Sequence, residues 1–155
     1  MTINQGDTVP DFELPDETGT PRTLSGLLEH GPVVLFFYPA AMTSGCTKES
    51  CHFRDLAAEF EAVGAQRVGI SGDAVEKQRQ FSEKHGFDYP LLSDVDRTVA
   101  ESFGVKRGGI SITPVKRSTF VIDTDRTVLS VIKSEVNMNK HADAALAVLR
   151  DRAKA

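Results

Sequence analysis

The chain has 155 residues, a formal net charge of −4, and 40% hydrophobic and 26% charged residues. This length fits one ordinary domain with a substantial core, so we expect a single domain over residues 1–155. The acidic balance excludes a general attraction to nucleic acid or anionic lipid. No apolar run approaches the ~18 residues of a membrane span, and the N-terminus lacks the features of a secretory signal. We therefore expect a cytoplasmic protein.

The first predicted elements lead from a hairpin into a buried strand. Residues 12–14 and 22–24 flank a turn-rich DETGTP stretch, which predicts an N-terminal β-hairpin. A short helix capped by Ser25 is expected next, ending near residues 31–32. The run VVLFFY over 33–38 is apolar throughout, which is typical of a strand buried on both faces.

A helix is expected after this strand, followed by a second strand and another helix. Apolar residues over 53–60 recur at helical spacing, so one helix should extend from the intervening segment to about Gly64. A short strand is predicted over 67–71. Asp73 begins a capping-box-like pattern, which predicts a helix that starts there and ends at His85.

The second half of the chain predicts one more helix, a hairpin and a terminal helix. The helix covers about 97–103, and a Gly- and Pro-containing loop follows over 105–116. Two β-rich runs, 117–122 and 127–133, are joined by a short turn. The last helix starts at Asn139. Its apolar stripe consists of Ala142, Ala145, Leu146 and Leu149. This order predicts a mixed central sheet covered on both sides, which suits a thioredoxin-like α/β fold.

The chain contains two cysteines, Cys46 and Cys51, five residues apart. In a helix their Cα atoms would lie roughly 8–9 Å apart, whereas a disulfide tolerates about 7 Å. On a helical wheel Cys46 lies within about 40° of Phe53 and Phe60, and Cys51 lies about 140° away. We therefore expect Cys46 on the core side of the first helical turn, where backbone N–H groups and the helix dipole favour thiolate. Cys51 should lie nearer solvent, and the two thiols can meet only if the helix opens.

Several interpretations of the two thiols are open at this point. Free cysteine is often a small core residue. A metal site built on Cys46, Cys51 and His52 lacks a fourth ligand at useful spacing. Redox chemistry is the third interpretation, because a sulfenic acid on one thiol can be trapped by a second thiol as a disulfide. We expect His52 on a helix surface and the other three histidines, His30, His85 and His141, to be solvated.

An ordered set of motifs resembles one known family. The segment PAAMTSGC over 39–46 matches the Pro-x-x-x-Thr-x-x-Cys signature of peroxiredoxins. The segment CTKESC over 46–51 resembles the peroxiredoxin Q subfamily, also called bacterioferritin comigratory proteins. The similarity extends through GDTVPDFELPDETG, VVLFFYP, FDYPLLSD and RSTFVID. It implies a thioredoxin-like fold with a mixed central sheet, helices on both faces and an N-terminal hairpin.

The resemblance implies a role for five residues. Cys46 would be the peroxidatic cysteine and Cys51 the resolving cysteine. Thr43 would contact the peroxide through its hydroxyl, which can both donate and accept. Arg117 would be the guanidinium beside the thiolate, where it stays charged at any useful pH. Pro39 would shield the reactive sulfur from water.

The predicted function is a thiol-dependent peroxidase for hydrogen peroxide and small organic hydroperoxides. A sulfenic acid at Cys46 would be resolved as a disulfide with Cys51 and recycled by thioredoxin or a similar reductant. We expect no metal, haem or flavin cofactor. We also expect a monomer, although an apolar edge near residues 108–114 would support a weak dimer.

Two alternatives share the cysteine pair. A disulfide oxidoreductase of the same fold would usually carry Cys-x-x-Cys, which this chain lacks. A redox sensor would use the pair as a switch without turnover. Glu49 is a further candidate in this stretch, because it could orient an arginine from the same turn.

Overall fold

The computed structural model of the protein describes residues 3–107 and 114–154. The strands are β1 (Glu13–Pro15), β2 (Pro21–Thr23), β3 (Val33–Phe37), β4 (Gln66–Ser71), β5 (Leu91–Ser93), β6 (Ser118–Ile122) and β7 (Val128–Lys133). The helices are α1 (Leu24–Leu28), α2 (Ser44–Asp55), α3 (Ala57–Ala62), α4 (Val75–His85), α5 (Thr98–Ser102) and α6 (Met138–Lys154).

Five strands form one mixed sheet in the order β5-β4-β3-β6-β7. Strand β3 is parallel to β4 and antiparallel to β6, so that Leu35 lies between Val68 and Phe120. Strand β5 is parallel to β4, and β7 is antiparallel to β6. The two remaining strands, β1 and β2, pair as a separate antiparallel hairpin. The expected mixed sheet with an N-terminal hairpin is therefore confirmed.

Helices cover both faces of the sheet, and the central strand β3 is apolar on both sides. Its residues alternate between two hydrophobic clusters: Leu35 and Phe37 pack with residues of α1 and α5, whereas Val34 and Phe36 pack on the opposite face. That second cluster includes the buried faces of α2, α3, α4 and α6, and it contains Cys46. The three-layer arrangement thus places the first cysteine in the core between α2 and the sheet.

Two expected helix starts are wrong in detail. The cap of α1 is Thr23, whose hydroxyl oxygen accepts from the Gly26 N–H. Ser25 lies inside the helix, and its hydroxyl donates to Asp11. Helix α4 begins at residue 75 with no side-chain capping bond, and Asp73 does not form the expected capping box. Its carboxylate accepts from a distant backbone N–H, which a local sequence pattern cannot reveal.

Two further differences concern the number of elements. The helix expected to extend to about Gly64 is interrupted at Leu56, whose backbone leaves the helical region, so that α2 and α3 are separate. The sequence does not predict strand β5. It is three residues long and pairs with the edge of β4, so neither its length nor an alternating pattern indicates a strand in the sequence.

The loop over 105–116 is described only at its two ends. An isolated bridge pairs Lys106 with Val115, and the Arg107 N–H donates to the Pro114 carbonyl oxygen. Residues 108–113 lie outside the described residues, and with them most of the apolar edge expected to support a dimer. In residues 3–107 and 114–154, no helix is long and apolar enough to cross a membrane.

Candidate active site

Cys46 lies where the central strand passes into a helix. Strand β3 ends at Phe37, and a short loop leads to α2, in which Cys46 is the third residue. The residue that caps α2 is Thr43, and its carbonyl accepts from the Thr47 N–H. The Cys46 side chain is 1% exposed. The expected position of this thiol, in the first turn and on the core side, is confirmed.

The loop before Cys46 is held by the neighbouring part of the sheet. The Ala41 N–H donates to the Asp73 carboxylate at 2.7 Å, and the Ser71 hydroxyl donates to the same oxygen at 2.7 Å. Met42 adopts a left-handed backbone with φ of 70°, which a non-glycine residue rarely does. This loop is therefore fixed by a long-range hydrogen bond rather than by its own sequence preference.

Thr43 and Pro39, for which the sequence predicts a role at the site, also lie in this loop. The Thr43 hydroxyl is exposed and donates to the Ala40 carbonyl oxygen at 2.8 Å, so it does not cap α2 through its side chain. Pro39 follows β3 closely and is half-buried. Both residues flank the approach to α2 within seven positions of Cys46.

Arg117 lies beside the sulfur of Cys46. Its Nη2 atom donates to Cys46 Sγ at 3.3 Å, and its Nη1 atom donates to Glu49 at 2.7 Å. The Arg117 backbone N–H donates to Glu135, which also pairs with Arg107. One guanidinium thus contacts two residues of α2 through different nitrogens.

Gly45 provides the space for this guanidinium. A Cβ atom at residue 45 would lie 3.3 Å from Arg117 Nη2 and 3.7 Å from the Met138 sulfur, at the start of α6. The first of these distances is tighter than a comfortable van der Waals contact. The absence of a side chain at residue 45 therefore lets Arg117 approach the first turn of α2.

Glu49 and His141 extend the contacts of Arg117 into the core. Both side chains are wholly buried, and Glu49 Oε2 lies 3.5 Å from His141 Nδ1. The histidine also contacts the Thr119 hydroxyl at 2.7 Å and the Ser134 carbonyl oxygen at 2.8 Å. The expectation that His141 is solvated is wrong. The reason is visible in α6, because residue 141 is one and two turns before the buried Ala145 and Leu149.

The charges at this site are shifted by burial and by one another. Burial raises the pKa of Glu49 to about 7, although the Arg117 guanidinium lowers it. Burial lowers the pKa of His141. Burial also lowers the pKa of Arg117, but the charges of Glu49 and Cys46 outweigh it and raise the net value. The guanidinium is therefore a fixed positive charge between two groups that can be anionic.

Cys51 lies on the other side of α2, and several contacts hold the helix around it. Both thiols are free, Cys51 is half-buried, and burial raises the pKa of its thiol. The Tyr89 hydroxyl donates to the Ser50 carbonyl oxygen at 2.8 Å, and Arg67 donates to the Phe53 carbonyl oxygen at 3.0 Å. A disulfide with Cys46 requires local unwinding of α2, because five helical residues separate the Cα atoms by roughly 8–9 Å.

His52 and the acidic groups do not form a metal cluster in the described parts of the chain. His52 is partly exposed and contacts Asp143 of α6 at 2.7 Å, as a surface residue between the two helices. Within residues 3–107 and 114–154, no three histidine, cysteine or carboxylate side chains are arranged to hold a metal ion. The site is instead a buried thiol, a fixed cation and a buried carboxylate.

Comparison with known proteins identifies the family of this chain. Residues 5–131 match the AhpC/TSA family. The chain belongs to the AhpC/TSA family. The crystal structure of peroxidoxin BcpB from Mycobacterium tuberculosis has 69% sequence identity and a TM-score of 0.93, over 96% of this chain and 97% of that chain. Chloroplastic peroxiredoxin Q of Sedum lineare is 38% identical over 96% of this chain and 78% of its own length.

The resemblance to peroxiredoxin Q is therefore confirmed, and so is the thioredoxin-like fold. A further neighbour is a bacterioferritin comigratory protein of Xanthomonas campestris, studied for its alkyl peroxide reduction activity. It has 34% sequence identity and a TM-score of 0.83, over 92% of each chain. Membership of this family makes the chain a thiol peroxidase, an oxidoreductase that reduces peroxides.

Two residues of the site were not fully recognised in the sequence. The sequence suggests Glu49 only as a residue that orients an arginine of its own turn, whereas its partner is Arg117, 68 residues away. The motifs do not identify His141 as a site residue. Both carry a periodicity signal, because Glu49 shares a helix face with Cys46 and Phe53, and His141 shares one with the core stripe of α6. A charged or titratable residue on a buried helix face is a usable indication of a site.

Proposed function

We propose that Cys46 is the peroxidatic cysteine of a peroxidase that reduces hydrogen peroxide and small organic hydroperoxides. The observation that carries this proposal is the 3.3 Å contact between Arg117 Nη2 and Cys46 Sγ, in the first turn of α2. A guanidinium and a helix N-terminus both stabilise negative charge. Together they favour the thiolate, which is the nucleophilic form of cysteine.

The first step oxidises Cys46 by two electrons. Its sulfur attacks one oxygen of the hydroperoxide, so that an S–O bond forms while the O–O bond breaks. The departing oxygen takes up a proton and leaves as water or alcohol, and Cys46 becomes a sulfenic acid. Arg117 stabilises the negative charge that develops on the departing oxygen. Thr43 orients the hydroperoxide through its hydroxyl, and Pro39 limits the access of water to the sulfur.

The second step joins the two thiols. After the first turns of α2 unwind, the Cys51 sulfur attacks the sulfenic acid, an S–S bond forms, and the hydroxyl group leaves as water. An external dithiol, for which we propose thioredoxin, reduces this disulfide by exchange and becomes a disulfide itself. The proposed reaction uses no resident cofactor. We also propose that the protein is cytoplasmic, and that it is a monomer with one domain.

The proposal is tested by catalytic turnover with a complete reducing system. The purified protein, thioredoxin, thioredoxin reductase and NADPH are mixed with hydrogen peroxide, and the absorbance of NADPH is followed. We expect continuous NADPH consumption that depends on the protein and is abolished by Cys46→Ser. A single stoichiometric oxidation without turnover would instead favour a redox sensor, and unchanged turnover of Cys46→Ser would exclude the proposed nucleophile.

A further inference from the structure

The two oxygens of the buried Glu49 carboxylate have different surroundings. Its Oε1 atom accepts from Arg117 Nη1 at 2.7 Å. Its Oε2 atom is buried, has no hydrogen-bond partner among residues 3–107 and 114–154, and lies 3.5 Å from His141 Nδ1. A buried polar atom without a partner destabilises the folded state, so this arrangement requires an explanation.

The contact with Ser134 fixes the role of one ring nitrogen of His141. Nε2 lies 2.8 Å from the Ser134 carbonyl oxygen, which only accepts, so Nε2 carries a hydrogen. In the neutral ring Nδ1 is then an acceptor, and the Thr119 hydroxyl is 2.7 Å from it. An ionised Glu49 would therefore direct a lone pair of Oε2 toward a lone pair of Nδ1. One proton between these two atoms removes the conflict.

We infer that Glu49 and His141 share one proton, and that this buried pair leaves the positive charge of Arg117 to the sulfur of Cys46. The inference rests on the proposed function of Cys46. With the proton the pair has no net charge. Without it, Glu49 is a carboxylate 2.7 Å from Arg117 and competes with the thiolate for the same guanidinium. His141 is thus a positioning residue, since it acts through Glu49.

The surroundings of the pair include titratable groups from four neighbouring segments. These groups are Cys46 on α2, Arg117 before β6, Glu135 between β7 and α6, and Lys140 on α6. Burial raises the pKa of Glu49 to about 7, Arg117 lowers it, and Glu135 raises it. Burial lowers the pKa of His141, as do the charges of Arg117 and Lys140, whereas the Ser134 carbonyl and Glu135 raise it. Burial therefore favours the neutral form of both groups.

The test replaces His141 by glutamine in a protein whose sole thiol is Cys46. In Cys51→Ser, the ultraviolet absorbance of thiolate reports Cys46 alone. His141→Gln keeps a donor for the Ser134 carbonyl but lacks the basic Nδ1 atom. We expect the midpoint of thiolate formation to rise by about one pH unit, so that the thiolate fraction below the midpoint falls about tenfold. Peroxide attack at neutral pH should slow by a similar factor.

A double-mutant comparison separates this role from simple packing. Glu49→Gln cannot ionise, and its amide can donate to Nδ1 while its oxygen accepts from Arg117. In this background His141→Gln should leave the thiolate midpoint unchanged, because there is no carboxylate left to neutralise. His52→Gln is the matched control: it alters the other histidine between α2 and α6 and should not shift the midpoint in either background.

Two results would overturn the inference. One is an equal shift by His141→Gln in both backgrounds, which would indicate structural support only. The other is no shift with Glu49 present. If His141→Gln does not fold, His141→Asn serves the same comparison. Thiolate absorbance requires no peroxide turnover, so failure of this inference is distinguishable from failure of the proposed peroxidase, which the NADPH assay measures.

Discussion

Arg117 Nη2 lies 3.3 Å from the sulfur of Cys46, although 71 residues separate them in the chain. The same guanidinium reaches Glu49 through Nη1, so it holds two side chains of one helix in a fixed relation. A planar fork with several donors can make both contacts, whereas an ammonium is a single point of charge. The proposed chemistry depends on the ability of Arg117 to contact Cys46 and Glu49 at the same time.

We therefore expect Arg117→Lys to slow peroxide attack about 10²-fold, although the positive charge is kept. Lysine cannot contact both Cys46 and Glu49, so the thiolate and the departing oxygen each lose a positioned donor. Stopped-flow or quenched-flow single turnovers with hydrogen peroxide measure the rate. Arg107→Lys is the control, since that arginine pairs with Glu135, and its rate should remain close to wild type. Equal rates for Arg117→Lys and wild type would remove Arg117 from the reaction.

Gly45→Ala should separate activity from stability. The added Cβ atom would lie 3.3 Å from Arg117 Nη2 and displace the guanidinium by a few tenths of an ångström. We expect peroxide attack to slow about tenfold, in proportion to the lost alignment. The free energy of unfolding should be unchanged or rise by up to about 1 kcal/mol, because alanine is the better helix former. Urea unfolding measures the second quantity. A loss of stability together with a normal rate of peroxide attack would contradict the interpretation that Gly45 provides space for the Arg117 guanidinium.

Thr43 is expected to act through its hydroxyl and not as a side-chain cap. Thr43→Val should slow peroxide attack roughly tenfold to a hundredfold, whereas Thr43→Ser, which keeps the hydroxyl, should remain near wild type. Since the side chain makes no capping bond to α2, the valine variant should lose less than the ~1 kcal/mol of a typical cap. Rates that follow helix stability rather than the presence of the hydroxyl would show that Thr43 is only structural.

The Tyr89 hydroxyl should restrain the step in which α2 unwinds. It donates to the carbonyl oxygen of Ser50, the residue before Cys51. Tyr89→Phe removes a hydrogen bond with a net contribution of about 1 kcal/mol, so disulfide formation should be about fivefold faster relative to peroxide attack. Rapid acid quench and intact-mass analysis of trapped thiols measure both steps.

Tyr38→Phe is the matched control, because the chain has two tyrosines and the Tyr38 hydroxyl donates to Gln78 in a different part of the core. This variant should lose stability without changing the ratio of the two steps. The same acceleration in both variants would mean that general loosening of the core, and not the contact with α2, controls resolution.

The main body of the fold was predictable because its signals are local. The apolar run over 33–38 predicts a strand buried on both faces, and the stripe of Ala142 to Leu149 predicts the buried face of α6; both are confirmed. Strand β5 was not predictable, since three residues gain their strand geometry only by pairing with β4. Asp73 fits a local capping pattern, but its carboxylate binds the Ala41 N–H, 32 residues away.

The site was predictable only in part for the same reason. Helical spacing places Cys46 toward the core and Cys51 toward solvent, as the structure has them. The approach of Arg117 to Cys46 follows from the pairing of β3 with β6, so spacing alone cannot give it, and only the family resemblance indicated it. The i, i+4 spacing of His141 to Ala145 indicates its burial, but histidine as a residue type is intermediate between buried and exposed, so its identity alone does not.

The central claim is that one thiol attacks the peroxide and the other resolves the product. The most direct measurement reacts Cys51→Ser and Cys46→Ser separately with one equivalent of hydrogen peroxide, in the presence of a reagent that labels sulfenic acid, and locates the label by mass spectrometry. We expect one label on Cys46 in the first protein and no rapid reaction in the second. A label on Cys51, or a rapid reaction of Cys46→Ser, would contradict the account.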